Sequence, residues 1–271
     1  PLQEYESVLL SQIKELADYE VGFEVRSLEN VVQKVSFALP SATQLNAALL
    51  STPLMIKGPD NGKLLAAYVK DFTTKEATRV SNVLRVGAGQ GQTTSEVIRL
   101  MREEVDISSK NAEGIARTAL QHTAVQAREA TYAANADLVQ FVEWVSILDG
   151  KTSPVCQALD TQKYKLSEGP RPPAHPRCRS TTTPVLRAPY DRLSRGRERK
   201  ARDPPLDDSE LKRGPLREVP ANQSYYSWLK TQPAAVQNSI IGPTRGKLLR
   251  NDGISSQRFA EPVPYTHLRA H

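Results

Sequence analysis

The centre of the chain reads Trp144-Val-Ser-Ile-Leu-Asp-Gly-Lys-Thr-Ser-Pro-Val-Cys156 and, a little further on, Arg171-Pro-Pro-Ala-His175-Pro-Arg-Cys178-Arg-Ser180. Both cysteines of the chain lie in these two stretches. The prolines of the second stretch fix the backbone angle φ, so the side chain of His175 has little entropy left to lose on ordering. The two stretches therefore predict an ordered loop that presents an imidazole and two thiols.

The residues around Trp144 predict a β-strand. Apolar and polar side chains alternate here, with Phe141, Val145 and Ile147 against Glu143 and Ser146. Alternation of this kind, rich in aromatic and β-branched residues, is typical of a strand with one buried face. We expect Trp144 to lie in the core beside the loop that follows.

The thiols and the imidazole are ligands that zinc takes in proteins. Cys156, His175 and Cys178 are therefore a candidate metal site, with Asp149, Asp160 or a water as fourth ligand. Two other interpretations stay open. One is a disulfide between the cysteines, which a reducing cytoplasm disfavours. The other is plain packing, with the cysteines as small core residues and His175 hydrogen-bonded to Asp149 or to a backbone carbonyl.

Arg179 directly follows the second cysteine. Its guanidinium is expected to pair with Asp149 or Asp160, because an arginine–carboxylate pair can form two parallel hydrogen bonds. Such a pair would tie the loop to the strand.

Upstream of this centre the sequence predicts helices. Apolar residues recur at three- and four-residue spacing over the first 16 residues, and residues 61–79 predict a second helix. A third helix is expected to begin at Thr93, with Glu96 completing a capping box, and to end near Val105. A long alanine-rich helix follows over residues 111–137. The glycine-rich stretch before Thr93 is not a phosphate loop, because Gln92 stands where that loop needs a lysine.

From Arg187 onward the composition becomes basic and proline-rich, which predicts an extended linker. Its cations are candidates for contact with DNA phosphates; they are Arg192, Arg195, Arg197, Arg199, Lys200 and Arg202. No aromatic residues are interleaved with them, so any such contact would be independent of sequence. A solvated linker is the alternative. Apolar residues return between Gln223 and Phe259 and predict a small C-terminal module.

Composition restricts the class of protein. The chain has 271 residues, of which 39% are hydrophobic and 24% charged, so most of it is expected to fold. It contains no apolar run long enough to span a bilayer. The net charge of +6 permits contact with nucleic acid without requiring it. Two cysteines are too few for a disulfide-built secreted domain. The chain begins at Pro1 rather than Met and stops abruptly at His271, so whether both ends are the native ones stays open.

The central stretches resemble the core motif of the phage head-morphogenesis family, the Mu F-like minor head proteins. That family shows a strand with a tryptophan, an Asp followed by Thr and Cys, and a Pro-Pro-x-His-Pro-x-Cys-Arg loop. The matching residues here, in order, are Trp144, Asp149, Thr152, Cys156, Pro172, Pro173, His175, Pro176, Cys178 and Arg179.

The resemblance covers roughly residues 80–260. Upstream it includes Gly89, Gly91 and the segment Ala112–Thr118, and downstream it includes Tyr226–Gln232, Gly242–Arg245 and Arg258–Phe259. Two positions depart from the family. Ala119 stands where an acidic residue is common, and Ser180 stands where some members carry a further cysteine. The missing thiol weakens the zinc hypothesis.

The expected fold is α+β, mostly helical, with a small strand-and-loop core and an extended basic linker. Four regions are predicted: an N-terminal helical region at 1–80, a head-morphogenesis domain at 81–190, a basic proline-rich linker at 191–220 and a small C-terminal module at 221–271.

The resemblance implies a minor structural protein of a tailed-phage head. It would act in head assembly near the portal and in DNA packaging or ejection. Its partners would be the portal, other head proteins and packaged DNA, in the virion and in the host cytoplasm during assembly. Neither catalysis, nor a membrane, nor a cofactor other than zinc is expected. Two alternatives stay open: a metal-dependent or Cys/His enzyme such as a nuclease or toxin, with His175 as base, and a zinc-containing nucleic-acid-binding protein.

Overall fold

The computed structural model describes residues 2–32, 35–56, 58–89, 94–191, 198–202, 216–256 and 258–259. The chain divides into two compact units. The helical unit comprises residues 1–137 and 170–178, and the mixed unit comprises residues 138–169 and 179–271. The predicted fold class, α+β and mostly helical, is confirmed. None of the helices in these ranges is both long and apolar enough to cross a membrane.

The helical unit contains four helices: α1 (Leu2–Val31), α2 (Ala42–Ser51), α3 (Leu65–Gly89) and α4 (Thr94–Ala134). Each of the first three packs against α4. The predicted boundary between residues 80 and 81 falls inside α3. Helices α1 and α2, which precede this boundary, pack against α4, which follows it, in one compact unit.

Helix α4 is continuous for 41 residues, and the predicted interruption between Val105 and Asn111 is wrong. No glycine or proline occurs in α4 before Gly114, so nothing in the backbone chemistry ends the helix there. The predicted N-cap, Thr93, lies outside the described residues.

Alanines let the helices of this unit approach closely. Ala119 of α4 packs in one core cluster with Leu9 and Ile13 of α1 and with Tyr68 and Val69 of α3. A second cluster joins α1, α2 and α4; its buried members are Ala17, Val21, Leu45, Leu49, Ala127 and Ala130. The small side chains of α4 thus give it room for three neighbours.

The mixed unit begins with a three-stranded antiparallel sheet in the order β2-β1-β3, formed by β1 (Val139–Val145), β2 (Lys163–Lys165) and β3 (Thr181–Leu186). Helix α5 (Pro154–Leu159) lies between the first two strands in sequence. The strand and the buried Trp144 are confirmed. Val142 and Trp144 are buried, whereas Ile147 beyond the strand is exposed.

The rest of the mixed unit contains β4 (Glu198–Arg202), β5 (Leu216–Pro220), α6 (Tyr225–Lys230), α7 (Ala234–Ile241) and α8 (Pro243–Arg250). Strands β4 and β5 form an antiparallel pair, so part of the predicted linker is ordered. One core cluster joins these elements to the loop after β1; its buried residues are Leu148, Ala201, Val219, Tyr225, Trp228, Leu229, Leu249 and Phe259. The C-terminal helices therefore share a core with Leu148, Ala201 and Val219.

Candidate functional site

Residues 170–178, called the proline loop below, are fixed to α4 near both of their ends. Near its start, Arg171 forms an ion pair of 2.7 Å with Glu129, and both side chains are largely buried. Near its end, the backbone N–H of Arg177 donates to the hydroxyl of Thr118 at 2.9 Å, and its guanidinium donates to the carbonyl of Lys110. The loop therefore takes its conformation from α4 as well as from its own prolines.

Gly114 makes the second of these attachments possible. A Cβ atom at this position would lie only 2.8 Å from Nε of Arg177, closer than real Cβ contacts come. Thr118, one turn further along α4, is fully buried and donates its own hydroxyl proton to the carbonyl of Gly114. The Ala112–Thr118 segment is part of the family resemblance, but the sequence alone gave it no role. In the structure, its Gly114 and Thr118 form the surface that Arg177 contacts.

Arg177 also borders an open cleft of about 440 Å³ between α3 and α4, whose floor includes Tyr68 and Phe72. The buried acid in this cleft, Glu76, accepts hydrogen bonds from three neighbours; they are Arg79, Ser108 and Asn111. Its carboxylate is therefore satisfied within the unit.

Cys156 lies in the short helix α5, where the hydroxyl of Ser153 accepts from its backbone N–H. Cys178 ends the proline loop, and its N–H donates to the carbonyl of His175 at 3.1 Å. Both cysteines are buried and neither forms a disulfide, so the disulfide hypothesis is wrong for this structure. His175 is half-buried, with Nδ1 2.9 Å from the carbonyl of Pro176.

His175 and Cys178 belong to the helical unit, and Cys156 belongs to the mixed unit. Two thiolates and an imidazole match the chemistry of a zinc site, which needs four ligands when it is structural. The donor set therefore fits zinc, with one position left for a water or another group.

Asp149 pairs with Arg179. This is one of the two pairings that the sequence predicts for Arg179, the other being with Asp160. The guanidinium donates two hydrogen bonds, of 2.7 and 2.8 Å, to the two carboxylate oxygens. Burial favours the neutral acid, but the hydrogen bonds and charge of Arg179 outweigh it and hold the pKa of Asp149 below its ordinary value. Thr152 and the N–H of Lys151 add further donors. This carboxylate holds the turn after β1, and its role as a fourth zinc ligand stays a prediction.

Asp160 is engaged more completely. Both its oxygens accept from Arg199, at 2.9 and 3.1 Å. Its oxygens also accept the backbone N–H groups of Ser146 and Tyr225, at 2.8 and 2.7 Å. The Asp160 side chain is 1% exposed and that of Arg199 is 7% exposed. Asp160 thus joins three segments of the mixed unit, and its role as a fourth zinc ligand also stays a prediction.

The six cations predicted to contact DNA separate into three groups. Arg192, Arg195 and Arg197 lie outside the described residues. Arg199 points into the mixed unit, where the pair with Asp160 buries its charge, and this burial does not favour a contact with DNA. Lys200, next to it on β4, is exposed beside Glu218 of β5, and Arg202 is partly exposed. Alternation along a strand sends neighbouring side chains to opposite faces, which explains the contrast.

The remaining motif residues support the loops. The indole N–H of Trp144 donates to the hydroxyl of Ser146 at 2.9 Å, and that hydroxyl donates to the carbonyl of Cys156 at 2.8 Å. Pro172 and Pro173 are buried, whereas Pro176 is exposed. Sequence reasoning missed the partners Glu129 and Arg199. Their charge was visible, but nothing local to them indicates a distant carboxylate or guanidinium.

A comparison with known protein families tests the resemblance. Residues 78–183 match the family described as Phage Mu protein F like protein. This segment is Mu F-like. The match includes α4, β1 and the proline loop, and it confirms the resemblance over that part of the chain. It favours a role in phage head morphogenesis. No curated protein and no solved structure matches the chain significantly.

Proposed function

We propose that this chain is a minor structural protein of a tailed-phage head, acting in head assembly near the portal and in DNA packaging or ejection. The observation that carries the proposal is the Mu F-like match over residues 78–183. Other head proteins and the portal are its proposed partners. Its proposed location is the phage head, after assembly in the host cytoplasm.

A structural and non-catalytic role agrees with the contacts of the motif residues. Each of the charged motif residues with a described partner is used to hold a loop: Arg171 with Glu129, and Asp149 with Arg179. Pairs of this kind fix backbone geometry, which an assembly protein needs in order to present a defined surface. We therefore propose that the proline loop is a scaffold for protein contacts and not an active site.

Particle composition tests the proposal. Heads purified from the phage that encodes this chain should contain it at low copy number, detectable by quantitative mass spectrometry. Disruption of its gene should leave heads that are misassembled or poorly filled with DNA, and a supplied copy should restore them. Normal, filled and infectious particles without the chain would contradict the proposal.

We further propose that Cys156, His175 and Cys178 bind one structural zinc ion. The support is the donor set, two buried thiols and an imidazole, which is the ligand chemistry that zinc takes in proteins. The purified chain should contain about one zinc per molecule by elemental analysis. Cys178→Ser should lose the zinc and lower the unfolding temperature, whereas the control Glu168→Gln, at an exposed carboxylate, should keep both. A folded chain that stays free of zinc after zinc is added would contradict this proposal.

A further inference from the structure

Helix α1 is apolar on two faces, and only one of them is covered by the helical unit. Leu9, Ile13 and Ala17 face the core. Val8, Tyr19 and Phe23 are exposed, with 47%, 61% and 43% of their surface accessible. Single exposed apolar residues are ordinary in folded proteins. A row of them along one helix face needs a separate explanation.

These three side chains do share a face. An α-helix turns about 100° per residue, so positions 8 and 19 lie about 20° apart around the axis and positions 19 and 23 about 40° apart. The rings of Tyr19 and Phe23 stack, with centroids 6.2 Å apart and an angle of 17° between their planes. Together they form a flat aromatic surface, one helical turn long.

Polar residues complete this row. Gln12, Glu15, Arg26 and Asn30 are all exposed and lie at three- or four-residue steps from the apolar members. The full row, called the α1 stripe below, consists of Val8, Gln12, Glu15, Tyr19, Phe23, Arg26 and Asn30. Steps of three and four residues are those of a helix surface that packs along a second helix.

The α1 stripe is complementary to itself when it is read in the opposite direction. Tyr19 and Phe23 lie at equal distances from position 21. Gln12 and Asn30 are also at equal distances from it. An antiparallel copy of α1 can be related to the first by a two-fold axis at the level of position 21. Tyr19 of one copy would then lie against Phe23 of the other, and Gln12 of one copy against Asn30 of the other.

The charges fit the same axis. Glu15 and Arg26 lie on either side of position 21, and their distances from it differ by one residue. One residue is about 1.5 Å along the helix, which is within the reach of an arginine side chain. In a two-fold pair this acid–base contact forms twice. A parallel pair would instead place Glu15 beside Glu15 and Arg26 beside Arg26, so the charges select the antiparallel direction.

We propose that two copies of this chain associate through antiparallel pairing of the α1 stripe. The contact is isologous, because the same surface on both copies forms it. Only three of its seven positions are apolar, which makes a weak dimer that depends on concentration. The pairing stands independently of the proposed head function.

Sedimentation velocity of the full chain, from about 1 to about 200 μM, tests the pairing. The wild type should shift from monomer toward dimer across this range. Glu15→Arg should raise the dissociation constant about tenfold, because it turns two attractive contacts into repulsive ones. Arg26→Glu should do the same. The double variant, with both changes, should restore the wild-type constant, because the acid–base contact is re-formed with its partners exchanged.

Lys14→Glu is the control, since Lys14 is exposed and lies about 140° around the helix from Tyr19. It carries the same change in charge as Arg26→Glu and should leave dimerisation unchanged. Helix content and unfolding temperature should stay at the wild-type values in every variant, since all these positions are exposed. Three results would each overturn the proposal. The first is a wild type that stays monomeric at all concentrations, which would mean that the α1 stripe binds another protein. The other two are a dimerisation constant that Glu15→Arg does not change, and a double variant that does not restore association.

Discussion

The side chain of Arg177 can lie close to Gly114 because glycine has no Cβ atom. A helix interior normally favours alanine over glycine by about 1 kcal/mol. Here an alanine would press on Nε of Arg177 at 2.8 Å and disturb its hydrogen bond to the carbonyl of Lys110. Gly114 is therefore explained by the proline loop and not by α4 itself.

This explanation predicts a coupling between the two positions. In an Arg177→Ala background, Gly114→Ala should stabilise the chain by about 1 kcal/mol, because the helix gains and nothing is displaced. With Arg177 present the same change should give much less stabilisation, or none. Urea unfolding of the four chains measures the difference. Equal effects in both backgrounds would show that Gly114 does not serve Arg177.

Arg199 and Lys200 are adjacent cations on β4 with opposite environments, and they make a matched pair of variants. Arg199→Ala should destabilise the chain by about 3–5 kcal/mol, because it leaves the buried carboxylate of Asp160 without its partner charge. Lys200→Ala removes the same charge from an exposed position and should change stability little. Denaturant unfolding measures both. If the two variants were equally stable, the Asp160–Arg199 pair would not hold the mixed unit together.

The same two variants test contact with DNA. If the basic segment binds phosphates, Lys200→Ala should weaken binding to DNA of any sequence and reduce its dependence on salt. Fluorescence anisotropy with two unrelated duplexes is the measurement. Identical affinity and salt dependence for wild type and Lys200→Ala would exclude Lys200 from such a contact.

His122 gives the helical unit a sensitivity to acid. Burial lowers the pKa of His122 from 6.5 to about 4, against the opposing effect of a hydrogen bond to the backbone of Thr52. The unfolded chain therefore takes up the proton first as the pH falls. The stability from neutral His122 is complete above about pH 6.5 and is lost progressively toward pH 4.

The expected loss between pH 7 and pH 5 is about 2 kcal/mol, obtained by urea unfolding at the two values. His122→Leu has no group to titrate at this position and should lose correspondingly less over the same interval. An equal loss in both chains would mean that other groups account for the pH dependence.

At the scale of elements, α4 organises the helical unit. Its alanines accept α1, α2 and α3, and its Lys110, Thr118 and Glu129 hold the proline loop. Periodicity and alanine content predicted that such a helix exists. They did not predict its continuity through residues 106–110, because Asp and Ser residues between two periodic segments are typical of a loop.

The C-terminal helices show that amino-acid composition alone does not reveal which segments of the chain share a core. Their aromatic residues Tyr225 and Trp228 share a core with Leu148 and Ala201, and the hydroxyl of Tyr225 donates to the carbonyl of Asp149 at 2.8 Å. Residues far apart in sequence therefore depend on one another for burial.

Ending the chain after Pro220 tests that dependence. The truncation removes five of the eight buried residues of this core, so the mixed unit should lose cooperative thermal unfolding and become prone to aggregation. A chain ended after Phe259 keeps all eight and serves as control. A chain ended at Pro220 with the same cooperative transition as the control would support the separate module that composition suggested.

At the scale of the whole molecule, the two units differ in the length of their helices and strands. The helical unit is built from long helices with apolar stripes, which a single sequence reveals through its periodicity. The mixed unit is built from short strands and helices that meet through Asp160 and one core cluster. The Mu F-like segment, residues 78–183, includes parts of both units, so a family match of this kind does not coincide with a unit of folding.

The sequence by itself determined the fold class, the strand that carries Trp144 and the proline loop with its resemblance. These depend on local chemistry: side-chain periodicity, the fixed φ of proline and the spacing of a motif. Only the tertiary structure decided that Arg199 faces inward to Asp160, that Gly114 makes room for Arg177 and that the C-terminal helices share a core with Leu148. Each of these joins residues far apart in the chain, and whether a charge is buried and paired depends on what the fold brings next to it.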